Sequence, residues 1–151
     1  MRRKDREIPK EDALRAADKC PYAVLCLIGP DGGPYGVPVN LARDGEIVYF
    51  HSAMKGTKTD CMRRDSRVCL TCVGDMRIAG EEYTTKYESA ILKGRASEVT
   101  DKEEKVRALR TLCEKYAPEH MDKFQETVEK SLGGTAVWRV DISEVTGKRN
   151  K

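Results

Sequence analysis

Residues 49–64, YFHSAMKGTKTDCMRR, pass from an aromatic strand ending into a short run of small, hydroxyl-bearing and basic side chains. A turn that leads from a strand into a helix leaves backbone N–H groups free and presents the positive end of the helix dipole. Here Ser52, Thr57 and Thr59 add hydroxyl donors, while Lys55 and Lys58 bring charge that would neutralise a dianion. Gly56 lets the backbone approach closely or take up positive φ. The pattern G-x-x-x-x-G-K-[ST] is not matched, so this is not a Walker phosphate loop. Residue types alone leave two readings open: an anion-binding turn, and a polar surface turn that caps a helix. His51 at a strand end is more often a structural hydrogen-bonder than an acid or base, and both readings stay open.

The six cysteines form the other reactive set: Cys20, Cys26, Cys61, Cys69, Cys72 and Cys113. CLTC at 69–72 is a C-x-x-C, but no second Cys or His pair stands at metal spacing, and no metal site is expected. RVCLTCV reads as a strand, in which residues three apart point to opposite faces, so Cys69 and Cys72 would not converge on one ion. Buried free thiols in a reducing compartment are the expected state.

The elements that position these residues follow from pattern and punctuation. Ile8–Cys20 reads as a helix with Pro9 near its first turn, stopped by Pro21. YAVLCLI (22–28) is an apolar strand, GPDGGP a reversal, and YGVPVNLA (35–42) its return; Arg43-Asp44-Gly45 then turns into EIVYFH (46–51). Three consecutive antiparallel strands are expected, with Pro38 marking an edge, a bulge or an interruption. A helix over 56–64, strands over 67–79 and 87–99, a helix opening at TDKE (100–103), a short helix at MDKFQETVEKSL and a strand over 135–145 complete the chain. Six strands linked mostly by turns predict a mainly β fold with peripheral helices, closing into a small antiparallel barrel. The expected organisation is one domain over 1–151, with 1–7 and 147–151 as flexible or partner-contacting tails.

Composition narrows the functional classes. The 28 basic and 25 acidic side chains nearly cancel, leaving a net charge of +3 with the basic clusters at the two ends, which argues against nucleic-acid binding. No apolar run approaches the roughly 20 residues of a membrane span. MRRKDREIPKED lacks the apolar centre of a secretory signal, so a cytoplasmic location is expected.

Taken in order, DGGPYGVPVN (31–40), VYFHSAMKGTKTDCMRRDSRVC (48–69), YESAILKGRASEV (87–99) and WRVDISEVTGK (138–148) resemble the pyridoxamine 5'-phosphate oxidase-like FMN-binding split barrels. Within them the chain looks like the nitroimidazole-resistance-related group. The resemblance implies a six-stranded split β-barrel, a homodimer, and FMN bound at the subunit interface. It implies that Lys58 and the Ser52 hydroxyl address the FMN phosphate within the Ala53–Lys55–Thr59 turn, and that Val37, Pro38, Val39 and Asn40 run beside the isoalloxazine ring. His51 would lie at the flavin edge, Tyr87 and Ser89 would reach the cofactor across the dimer, and Trp138 would pack near the ring. Two function classes follow. One is an oxidoreductase passing electrons from a reduced nicotinamide to a small acceptor such as a nitroaromatic compound. The other is a non-catalytic module holding flavin or haem. A deazaflavin shares the features such a site would hold. The substrate-binding Q-x-R pattern of true pyridoxamine phosphate oxidases has no equivalent here, which argues against that substrate.

Overall fold

The structure, a computed structural model, describes residues 2–151. Its elements are α1 (Lys10–Lys19), β1 (Ala23–Ile28), β2 (Pro34–Val39), β3 (Ala42–Asp44), β4 (Ile47–Ala53), α2 (Thr57–Arg64), β5 (Arg67–Ala79), β6 (Thr84–Glu98), α3 (Lys102–Tyr116), α4 (Phe124–Ser131) and β7 (Thr135–Asn150). The strands form one antiparallel sheet of seven, in the order β2-β1-β5-β6-β7-β4-β3.

This order forces the sheet to curl. Its two edges, β2 and β3, are consecutive in sequence, with only Asn40 and Leu41 between them. Three Cα steps reach at most about 11 Å, whereas seven flat strands at ~4.8 Å spacing would hold their edges about 29 Å apart. The edges therefore face each other without pairing, and the result is a split barrel. Register shifts at Val73/Met76 and Lys93/Gly94 bend the long strands β5, β6 and β7 into this shape.

The expectation of six strands and of a continuous strand over 35–42 is corrected here. The chain crosses from one edge of the sheet to the other at Asn40–Leu41, so β2 pairs with β1 alone, and the short β3 pairs with β4. Pro38 lies on an edge strand, where a missing N–H costs no ladder bond. The last strand also runs five residues beyond its expected end at Val145. Residues 147–150 belong to β7 rather than to a tail: Glu7 bridges Lys148, and the Ile8 N–H donates to Gly147 O at 3.2 Å.

The barrel interior is filled by Leu25, Leu41, Val48, Phe50, Leu70, Leu92, Trp138 and Val140. Helix α1 closes one end, burying Ala13, Leu14, Ala16 and Ala17 against β5, β6 and β7. Its small residues allow a close approach, and Gly147 makes room for it: a Cβ there would stand 2.5 Å from that of Ala13. A second core lies on the outer face of β4 and β7, where Ala108, Leu109 and Leu112 of α3 and Phe124 and Val128 of α4 cover Tyr49 and Val137. Asp101 caps α3 by accepting from the Glu104 N–H at 2.7 Å. Among the described residues, no helix is long and apolar enough to cross a membrane.

Candidate functional site: the seam of the barrel and the start of α2

Strand β4 alternates, and the alternation sorts the candidate residues. Val48, Phe50 and Ser52 turn into the barrel, whereas Tyr49, His51 and Ala53 turn out towards α3 and the turn that follows. Ser52 is buried; its Oγ donates to Ala53 O at 2.9 Å and accepts from Trp138 Nε1 at 3.2 Å. Thr59, also buried, donates to the same carbonyl at 3.4 Å. Trp138 is 1% exposed, with Arg63 of α2 stacked 6.0 Å from its ring centre. Within the single chain the hydroxyls of Ser52 and Thr59 are thus engaged by the fold, and Trp138 is packed in the barrel core.

What remains at the turn is basic and open. Gly56 precedes α2 with φ 141°, a value that favours glycine, and has no side chain with which to cap the helix. The first intrahelical bond runs from Asp60 N–H to Gly56 O, so the amides of Thr57, Lys58 and Thr59 precede the ladder. Lys55 is exposed and Lys58 half-buried beside them. The two arginines at the far end of α2 are committed elsewhere: Arg63 to Glu98 at 2.7 Å, and Arg64 to the carbonyls of Gly29 and Pro30. Amides, dipole and lysines together suit a phosphate dianion.

Next to this turn, His51 and Asn40 line a cleft of about 210 Å³ walled by Leu109, Leu112, Cys113, Tyr116 and Ala117. His51 is exposed at its strand position, and partial desolvation in the cleft, then the nearby charge of Lys58, push its imidazole below its ordinary range. Asn40 Nδ2 donates to Pro21 O at 3.0 Å, which fixes the seam residue in place. Val37 packs against the core, Val39 is buried, and Pro38 stands on the exposed side of β2. Tyr87 and Ser89 are not brought to His51 within the chain. They line a separate cleft of about 590 Å³ with Ile91, Glu144 and Thr146, and no residue lines both.

One contributor escaped the sequence reading. Leu41, the buried bridge between the two sheet edges, has its N–H accepted by Tyr116 Oη at 3.1 Å. Its carbonyl accepts from Tyr116 Oη at 2.9 Å and from Lys115 Nζ at 2.9 Å. The Tyr116 hydroxyl does for Leu41 what a neighbouring strand would do. A signal was present: Tyr116 continues the Leu109–Leu112–Cys113 stripe at i+4 from Leu112, with a polar tip.

A seven-stranded antiparallel sheet split between consecutive strands, with helices over one face and a basic helix start at the seam, defines a split-barrel protein. Residues 9–149 match the pyridoxamine 5'-phosphate oxidase family, and the chain belongs to that family. Solved structures share the fold. A protein from Bacteroides thetaiotaomicron, named as a candidate 5-nitroimidazole antibiotic resistance protein, superposes with a TM-score of 0.77 at 23% identity, covering 94% of this chain and 85% of its own. The flavocytochrome Anf3 from Azotobacter vinelandii gives 0.78 at 24% identity, covering 95% and 68%. The FAD and heme binding protein from Mycobacterium smegmatis gives 0.77 at 20% identity, covering 94% and 70%. No match was found among curated protein sequences.

Proposed function

We propose that the protein is a cytoplasmic FMN-dependent oxidoreductase, acting as a homodimer, that passes electrons from a reduced nicotinamide to a small nitroaromatic acceptor. The observation that carries this reading is the uncapped, lysine-flanked start of α2, close to the cleft that His51 and Asn40 line. The amides of Thr57 and Lys58, with the Lys58 ammonium, would hold the cofactor phosphate. Val37–Asn40, at an edge whose backbone groups are not all used in a ladder, would orient the ring. A bound flavin would supply the hydride chemistry, and the chain would bind it, orient it and set the His51 imidazole at its edge.

The dimer is part of the proposal for a reason of volume. Ligand sites for molecules of this size usually span ~300–1,000 Å³, and the cleft at His51 falls below that range. The cleft of Tyr87 and Ser89, on another face, would complete it from a second copy. Between the two runs a row across four strands, Pro38–Val24–Thr71–Ile91, in which Thr71 is half-buried and the others exposed, Val24 at 38% and Ile91 at 36%. Two-fold symmetry applied to such a face would close a dimer and could bring each Tyr87 and Ser89 to the partner's seam.

Two experiments test the reading. The purified protein is expected to carry or bind FMN, to be bleached anaerobically by a reduced nicotinamide, and to be reoxidised by a nitroaromatic compound; no bleaching would refute the enzymatic part. Mixing Lys58→Ala subunits with Tyr87→Ala/Ser89→Ala subunits is expected to yield heterodimers that bind FMN at half the wild-type stoichiometry. A monomer that binds FMN stoichiometrically would refute the shared site. A second reading, a non-catalytic flavin- or haem-binding module, draws on the exposed imidazole of His51 in its cleft, a side chain able to ligate iron, and on two relatives named for haem or cytochrome. A Soret band in place of flavin absorption would favour it.

A further inference from the structure

Two cysteines outside the seam stand face to face on neighbouring strands. Cys26 of β1 and Cys69 of β5 are register partners in an antiparallel pair, and both are half-buried on the outer side of the sheet. Residues so paired have Cα atoms about 4.5 or 5.5 Å apart, inside the ~4.4–6.8 Å that a disulfide spans. The Cys26 thiol now leans on Val24 O at 3.9 Å, and rotation about χ1 turns it towards Cys69. In the single chain both thiols line an open cleft of about 480 Å³, bordered by Ile28, Gly32, Pro34 and Arg67 and one row beyond the Val24–Thr71 row of the proposed dimer face, wide enough to admit a small oxidant. Across the sheet their row continues into Lys93 and Glu144, an exposed ion pair at 3.1 Å, so it ends in water. The other close pair, Cys20 and Cys72, is buried in the barrel core.

We propose that Cys26 and Cys69 are a redox-modification site, closing reversibly to a cross-strand disulfide when the protein meets a peroxide. Burial raises the Cys69 thiol above its ordinary range, which disfavours its thiolate. The Cys26 thiolate attacks one peroxide oxygen, the O–O bond breaks, and a sulfenic acid and one water result. Cys69 then attacks the sulfenic sulfur, the S–O bond breaks, and a second water leaves as the S–S bond forms. Overall the two thiols lose two electrons and two protons to the peroxide. The product ties β5 to β1, the strand on which the edge β2 and its Val37–Asn40 segment hang.

The test uses the intact, folded protein. After brief treatment with hydrogen peroxide, the intact mass should fall by about 2 Da when read before the remaining free thiols are blocked with an alkylating agent. A non-reducing peptide map should join Cys26 to Cys69, and dithiothreitol should reverse both changes. Cys26→Ser and Cys69→Ser should each abolish the linked peptide while leaving Cys20 and Cys72 unlinked. If both cysteines still take up the alkylating agent after peroxide treatment, or if the linked peptide joins other cysteines or two chains, the assignment is overturned.

Discussion

Replacing Tyr116 by phenylalanine removes one oxygen and leaves the ring in place, so its cost isolates the bonds that this oxygen makes to Leu41. Leu41 is fully buried, and its N–H has Tyr116 Oη as its acceptor, whereas its carbonyl keeps Lys115 Nζ at 2.9 Å. The variant therefore leaves one buried backbone donor without a partner, at about 1–3 kcal/mol, and costs the carbonyl only its second bond. A loss of about 2 kcal/mol is expected. For a domain of this length that lowers Tm by roughly 4–8 °C and speeds opening-limited exchange at the Leu41 amide by about 30-fold. Urea melts and amide exchange measure both quantities. Lys115→Met is the matched control: the carbonyl then keeps Tyr116, and the loss should stay below about 1 kcal/mol. A Tyr116→Phe protein within ~0.5 kcal/mol of wild type, or the reverse order of the two variants, would refute the reasoning that the hydroxyl stands in for a strand at the seam.

Lys58→Ala is expected to weaken FMN binding by at least ~1.5 kcal/mol, the low end for a hydrogen bond to a charged group. Titration with riboflavin should show little loss, and an equal loss for both ligands would make the lysine structural. Because the folded pKa of His51 lies below its unfolded value, the unfolded chain binds the proton more readily, so His51 lowers stability as pH falls through about 6.5. His51→Asn should remove that part of the acid sensitivity, and urea melts of both proteins at pH 8 and pH 5 would reveal it. Gly147→Ala should cost about 1–3 kcal/mol by pressing a methyl group onto Ala13 and Ile8, with Ala13→Gly in the same chain returning part of it in thermal melts.

The elements whose evidence is local were legible in the sequence. Strand β5 falls at its expected bounds, α1 and α3 fall within two residues of theirs, and the alternation that sets Cys72 inside and Cys69 outside is the one that period-two spacing requires. The seam was not legible. YGVPVNLA has the propensity of a single strand, and only the long-range pairing of β2 with β1 and of β3 with β4 reveals that the chain leaves one sheet edge at Val39 and joins the other at Ala42. The extension of β7 past Val145 was hidden for the same reason. TGKRN is polar and reads as a tail, yet its backbone pairs with Tyr87–Ile91 of β6, and such a ladder is indifferent to side-chain polarity.

The hydroxyls near the turn teach a finer point about what residue types convey. Ser52 and Thr59 have the chemistry of phosphate ligands, but phase decides their use: Ser52 follows Val48 and Phe50 at period two, and register sets Phe50 opposite Trp138. An inward serine in an apolar barrel must be satisfied, and it is, by the indole N–H and the Ala53 carbonyl. Thr59 reaches that same carbonyl from the first turn of α2. One oxygen thus receives a strand side chain and a helix side chain, which fixes the direction in which α2 leaves β4. The amides ahead of the helix and Lys58 inherit that direction. In the proposed phosphate site the contacts would accordingly fall to backbone and lysine, with the hydroxyls behind them as the frame, so removing the Ser52 hydroxyl should act by turning the helix rather than by losing a contact.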